Sequence, residues 1–149
     1  MAEAIFRSQA SSHPRISRID SAATSNYNTG YEPDSRTIGV LSNHGITDYK
    51  HAARQVKASD FSTFDYILCM DQYNLSDLQR MRRSAEKKSG EVVRARVMLF
   101  GDWGGHEGEQ VGDPYYGAVD GFEECYEQLQ RFSKGLVEKV LDSPSERTP

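Results

Sequence analysis

Val119, Phe122, Tyr126, Leu129, Phe132, Leu136 and Val140 recur in steps of three and four. That spacing lays an unbroken apolar stripe along one face of a helix about six turns long. The stripe must be covered, so the rest of the chain has to supply a surface for it. Two short apolar runs read as strands: residues 65–70, Asp-Tyr-Ile-Leu-Cys-Met, and residues 97–100, Val-Met-Leu-Phe. The first is predicted to be buried. Between them Leu75, Leu78 and Met81 repeat at helical spacing, which predicts a helix over 72–84. Residues 2–10 favour helix by propensity but have no N-cap residue. Residues 16–20 form a further strand candidate. Residues 34–44 are predicted helical with Ile38, Val40 and Leu41 as the apolar face and Gly45 as C-cap, and a short extended piece falls near 53–56. Strands alternating with helices give an α/β fold with a parallel sheet. In such folds ligands gather at the carboxyl ends of the strands. The loops 21–30, 71–74 and 101–117 are therefore expected on one rim.

The chain has 149 residues, enough for one domain with a real core. Residues 1–142 are read as that domain and 143–149 as a polar tail. A net charge of −4 gives no support for general nucleic-acid binding, which needs a basic face. No apolar run is long enough to span a membrane, and the first residues have neither the basic nor the apolar region of a signal peptide. Two cysteines make no disulfide framework. Reduced thiols and a cytoplasmic location are the expectation.

Three stretches carry candidate chemistry. Gly112-Asp113-Pro114-Tyr115-Tyr116-Gly117 holds a carboxylate on a loop stiffened by proline, beside two tyrosines. Turn chemistry alone makes it a surface turn. The sharper alternative is that Asp113 has the chemistry of a general acid for an aromatic leaving group. Cys69 lies in an apolar strand and reads as a small hydrophobe. Cys125 opens the pattern Cys, five residues, Arg131, which cysteine-dependent phosphatases use. That pattern needs a loop whose N–H groups converge on phosphate. Here the five residues lack glycine, lie mid-helix with their N–H groups committed, and have Glu123, Glu124 and Glu127 around them. Cys125 is therefore rejected as a nucleophile. The four histidines show no metal-ligand spacing with one another or with cysteine, and no cofactor-binding glycine motif is present. Neither metal nor cofactor is expected. The segment 104–108 suits a flexible connection. The cluster Arg80, Arg82, Arg83, Lys87 and Lys88 reads as a solvated helix end or, alternatively, as a docking patch for an acidic partner.

Several stretches taken together resemble the low-molecular-weight protein-tyrosine phosphatases. They are residues 19–25, Asn43-His44-Gly45-Ile46, His51-Ala52-Ala53-Arg54-Gln55, residues 64–71 and Asp113-Pro114-Tyr115-Tyr116-Gly117. The resemblance runs from residue 2 to about 141. It implies a three-layer fold with a four-stranded parallel sheet in flavodoxin-like order. It also implies a two-step mechanism through a phosphocysteine, with Asp113 as the acid that protonates the leaving phenolate and the base that then activates water. By the same resemblance Tyr27, Asn28, Tyr115 and Tyr116 line the substrate cleft, and Ser21 and His51 hold the phosphate loop in shape. Tyr115 and Tyr116 match residues that can be phosphorylated, and plain cleft-wall packing is weighted equally. The implied substrates are phosphotyrosine proteins or small aryl phosphates.

One departure outweighs these matches. In the family a first strand, the Cys-x-x-x-x-x-Arg loop and a Ser-Pro pair precede the helix that begins here at Ala2. The expectation is a truncated form without nucleophile, phosphate-binding arginine or first strand, and so without cysteine-based activity and with a damaged sheet. The alternative is a non-catalytic phosphatase-like binding protein. Oligomeric state is open at this point.

Overall fold

A computed structural model describes residues 1–24, 35–47, 49, 53–89, 93–112 and 119–142. The elements in chain order are α1 (Ala2–Ala10), α2 (Ser35–Asn43), α3 (Asp60–Thr63), β1 (Tyr66–Cys69), α4 (Gln72–Ser89), β2 (Arg96–Leu99) and α5 (Val119–Leu136). A 3-10 turn, Phe100–Trp103, follows β2, and a π turn, Val137–Leu141, extends α5.

β1 and β2 pair in parallel, with Tyr66 opposite Arg96 and Cys69 opposite Leu99. Side chains alternate across the strand, and the two faces feed two cores. Tyr66, Leu68 and Met70 pack towards a core built from Ile5, Leu41, Phe100, Phe122, Leu129 and Phe132. Ile67 and Cys69 pack towards another made by Phe61, Leu78, Ala85, Val93 and Leu99. Helices α1, α2 and α5 thus cover one face and α3 and α4 the other: the α/β fold with a parallel sheet that the alternation predicted, in the three layers that the resemblance implied.

The stripe on α5 does what its spacing demanded. Phe122, Cys125, Tyr126, Leu129, Phe132, Leu136 and Val140 are all buried. Cys125 belongs to this stripe, as a small apolar residue. Helix α2 ends at a Schellman motif: the Ile46 N–H reaches Leu41 O at 2.8 Å, the Gly45 N–H reaches Ser42 O at 3.0 Å, and Gly45 has φ 84°. The predicted cap at Gly45 is present.

Six sequence expectations need correction. The apolar face of α2 is Thr37, Val40 and Leu41, whereas Ile38 is exposed, because the helix turns Ile38 about 100° away from Thr37. Helix α4 runs past 84 to Ser89, its polar last turn continued by good helix formers. β1 is only half-buried except at Cys69, Asp65 before it is exposed, and Phe100 has left its strand for the 3-10 turn. Residues 16–20 are not a strand. No backbone ladder joins residues 16–19 to any described residue; the Ile16 N–H turns back to His13 O, and the Arg7 guanidinium takes the Ile19 carbonyl. The segment borders an open cavity of about 340 Å³ shared with Arg7 and Ser11. Near 53–56 the extended piece reduces to a single parallel bridge, Ala23 with Gln55.

Where α5 meets the 3-10 turn, both backbones come close. A Cβ on Gly135 would lie 1.8 Å from the Trp103 carbonyl oxygen, and one on Gly104 would lie 2.4 Å from Cδ1 of Phe132. Glycine costs about 1 kcal/mol inside a helix relative to alanine, so its presence at 135 is a packing requirement. Gly135→Ala is expected to destabilise the fold by about 1–3 kcal/mol despite better helix propensity, read as a lowered urea midpoint at unchanged slope.

Candidate active site

The rim forms where β1 and β2 end. The Val111 N–H donates to Met70 O at 2.8 Å, and the Gln72 N–H donates to Gln110 Oε1 at 2.8 Å. These bonds bring the loop after β1 and the end of the 101–112 loop together, as the parallel architecture requires. Asp71 caps α4 by accepting the Asn74 N–H at 2.8 Å. The 101–112 loop is tied internally. The Gly108 N–H reaches Asp102 Oδ1 at 2.8 Å, while Gly105 and Gly108 supply the positive φ its turns need. Glu109 is gripped by Arg131 through two bonds, 2.9 and 2.7 Å, and its carboxyl is held below the usual range by that guanidinium. The predicted flexible connection is therefore anchored to α5 at its far end.

The second part of the site lies at the start of α1. The Ser21 hydroxyl donates to Glu3 Oε1 at 2.7 Å, and Arg7 Nε donates to Glu3 Oε2 at 2.8 Å. Glu3 is buried, and its carboxylate also favours the positive end of its own helix. Tyr49 stands against this pair. Burial, with the Glu3 carboxylate nearby, pushes its hydroxyl up to about 12, and a hydrogen bond with Ser21 pulls the other way. Ser21 is thus a fixed hydroxyl between a buried carboxylate and a phenol, facing the first turn of α1.

What holds the Ser21 segment in place is an ion network. Arg54 Nε donates to Asp20 Oδ2 at 3.0 Å, and its Nη1 and Nη2 reach the two oxygens of Asp60 at 3.0 and 3.3 Å. Asp60 also accepts the Lys57 N–H at 2.9 Å, and Asp20 accepts the Ser21 N–H at 2.8 Å. The hydrogen bond to Asp60 is the largest influence raising the Arg54 pKa. Sequence reading singled out Ser21 but missed Glu3, Tyr49, Asp20 and Asp60. The available signal was the run of carboxylates flanking Arg54 at a distance in sequence, which spacing alone cannot pair.

Of the other predicted site residues, Tyr27, Asn28, His51, Asp113, Tyr115 and Tyr116 lie outside the described residues. The two thiols are settled. Cys69 is buried in β1, and burial, then Asp71, push it up to about 12. Cys125 sits inside the continuous helix α5, so residues 125–131 form no loop. Among the described residues no three His, Cys, Asp or Glu side chains converge as metal ligands, and no helix is long and apolar enough to cross a membrane.

A family model described as Low molecular weight phosphotyrosine protein phosphatase matches residues 1–145. Proteins of that name from Schizosaccharomyces pombe and Gallus gallus are similar to the chain. The first is 41% identical over 144 residues, covering 94% of this chain and 87% of its own length. The second is 44% identical over 143 residues, covering 93% and 85%. Among solved structures, one titled drosophila arginine phosphatase superposes with a TM-score of 0.81 at 30% identity, covering 92% of this chain and 86% of its own.

Proposed function

The chain belongs to the low molecular weight phosphotyrosine protein phosphatase family, and from that premise we propose that its residues supply the acid loop and substrate walls of a phosphotyrosine phosphatase site. Asp113 protonates the leaving phenolate and then deprotonates the attacking water. Tyr27, Asn28, Tyr115 and Tyr116 face the aryl group, and Ser21 and His51 brace the phosphate-binding loop. The substrates are phosphotyrosine proteins or small aryl phosphates, met in the cytoplasm, and no metal or cofactor takes part. Residues 1–142 form the catalytic-type domain and 143–149 a polar tail. One observation carries this reading: the bond from Val111 to Met70 at 2.8 Å roots the segment leading to Asp113 at the rim where β1 ends.

Phosphoryl transfer through a phosphocysteine needs a thiolate at a loop of converging N–H groups. Neither cysteine of the chain suits that role. Cys69 is buried and hard to ionise, and Cys125 is a core residue of α5. These 149 residues are therefore proposed to have no cysteine-based turnover by themselves.

The test uses p-nitrophenyl phosphate and a phosphotyrosine peptide. The purified chain is expected to match its Cys125→Ser variant at background. Robust turnover lost in Cys125→Ser overturns the proposal. Fusing a strand, a Cys-x-x-x-x-x-Arg loop and Ser-Pro ahead of Met1 is expected to confer turnover, which Asp113→Asn then lowers by about 10²–10⁴. An active fusion indifferent to Asp113→Asn removes the acid role. A folded but inert fusion favours the non-catalytic binding reading.

A further inference from the structure

Helix α4 carries a surface that the site does not use. Its inner face is spent on Leu75, Leu78, Met81 and Ala85, which pack against the sheet. Its outer face follows from the helical period: residues 73, 77, 80, 84 and 87 align within a narrow stripe, flanked by 83 and 88. At the head of the stripe is Tyr73, 83% exposed and so presenting its ring to water. Down the stripe come Arg80, Arg83, Lys87 and Lys88, all exposed. Arg80 is paired with Asp77 at 3.0 Å. No ion pair joins Arg83, Lys87 or Lys88 to any described residue. Arg82, on the inner side, is committed to the Ala95 and Val93 carbonyls.

Stability does not account for this arrangement. Cations in the last turn complement the helix dipole, which covers Lys87 and Lys88. Arg80 and Arg83 lie further up. Arg80 faces Arg83 at i+3 and Arg83 faces Lys87 at i+4, and such like-charge neighbours weaken a helix. Five cations against Asp77 and Glu86 give α4 a local excess of positive charge in a chain of net charge −4.

The stripe is also oriented. Tyr73 stands in the first turn of α4, next to Gln72, whose N–H bonds Gln110 three residues before Asp113 in sequence. From there the cations lead away from the rim. Tyr73 to Lys87 is fourteen residues, about 21 Å of helix, and an extended peptide covers that in about six residues.

We propose that the outer face of α4 is a docking track for an acidic, extended segment of the phosphoprotein substrate. An apolar or aromatic side chain rests on Tyr73, and carboxylates about three to six residues farther on meet Arg80, Arg83 and Lys87 in turn. The proposal rests on the phosphatase reading only for calling that partner a phosphoprotein. The track itself needs no catalysis.

Fluorescence anisotropy tests it with a fluorescein-labelled hexaglutamate peptide, which has no phosphate and so reports on the track and not on the acid loop. Binding is expected to weaken at least about tenfold in R80E/R83E/K87E, and to fall steeply with salt. It is expected to stay unchanged in K134E/K139E, which reverses exposed lysines at the end of α5. A second peptide with phenylalanine about three residues ahead of the glutamates is expected to bind tighter, and Tyr73→Ala to abolish that gain. No binding of hexaglutamate, equal loss in both charge-reversed variants, or tighter binding of duplex DNA or phosphatidylserine vesicles overturns the proposal. Failure of the hydrolysis tests above leaves these outcomes untouched.

Discussion

Arg54→Met is expected to lower stability by about 3–5 kcal/mol, measured as a shift of the urea midpoint. Domains of this kind are stable by roughly 5–15 kcal/mol in all, so the loss is a large fraction of the whole. The reason lies in what the substitution leaves behind. Asp60 has a side chain only 7% exposed and Asp20 one 16% exposed, and both face the guanidinium. Without it, among the described residues, Asp60 keeps only the Lys57 N–H and no cation, and Asp20 keeps the Ser21 N–H and a longer contact, 3.5 Å, to the exposed Arg18. The diagnostic is recovery: adding Asp60→Asn to Arg54→Met is expected to restore part of the stability, which loss of packing alone would not predict. The Ala23 N–H bonds the Arg54 carbonyl at 2.9 Å and the Val56 N–H bonds Ala23 O at 2.8 Å. Ser21 is held by the same clamp, so its bond to Glu3 is expected to loosen with it.

Raising the pH from 9 to 12 is expected to remove about 3 kcal/mol of stability through Cys69 alone, since each unit of pKa is about 1.4 kcal/mol and the two ends of that window are half-titrated. The sign follows from the neutral thiol being the favoured form in the core. Its folded pKa, about 12, lies above the ordinary 9.0. The contribution is complete below pH 9, where both states are protonated, and disappears as pH climbs through 12, because the unfolded chain ionises first. Tyr49, raised from 10.0 to about 12 by burial and Glu3, acts in the same direction over the upper part of that window. Thermal melts at stepped pH check this. Cys69→Ala is expected to flatten the descent between pH 9 and 10, leaving the later fall that Tyr49 governs.

The layers of this fold were legible in the sequence because they depend on side chains close together in the chain. The α5 stripe, the cap at Gly45 and the strand at 66–69 each rest on local spacing, and each is present. The rejection of Cys125 also needed only local physics, since residues in mid-helix cannot form an anion loop. What spacing could not supply is pairing over distance. Residues 16–20 have the composition of a strand, but a strand exists only through a neighbour, and the Ile19 carbonyl is met by a side chain instead. Ser21 could be named from a motif, while its partners Glu3 and Tyr49 come from segments 18 and 28 residues away. Ile38 and Thr37 exchanged roles for a simpler reason: hydrophobicity orders residues by preference, and the helix phase set by Leu41 then decides between neighbours.

The packing of α1 on α5 has a consequence for biosynthesis. Ile5 and Ala4 belong to the same core as Phe122, Leu129 and Phe132, and Gln9, His13 and Arg15 bond to Gln130, Asp142 and the Val140 and Leu141 carbonyls. In synthesis α1 therefore leaves the ribosome before α5, the helix it packs against. At about 5–20 residues per second, the apolar side of α1 waits on the order of ten seconds before α5 arrives. During that interval Ile5 is open to chaperones and to neighbouring nascent chains, and this core closes when α1 and α5 meet.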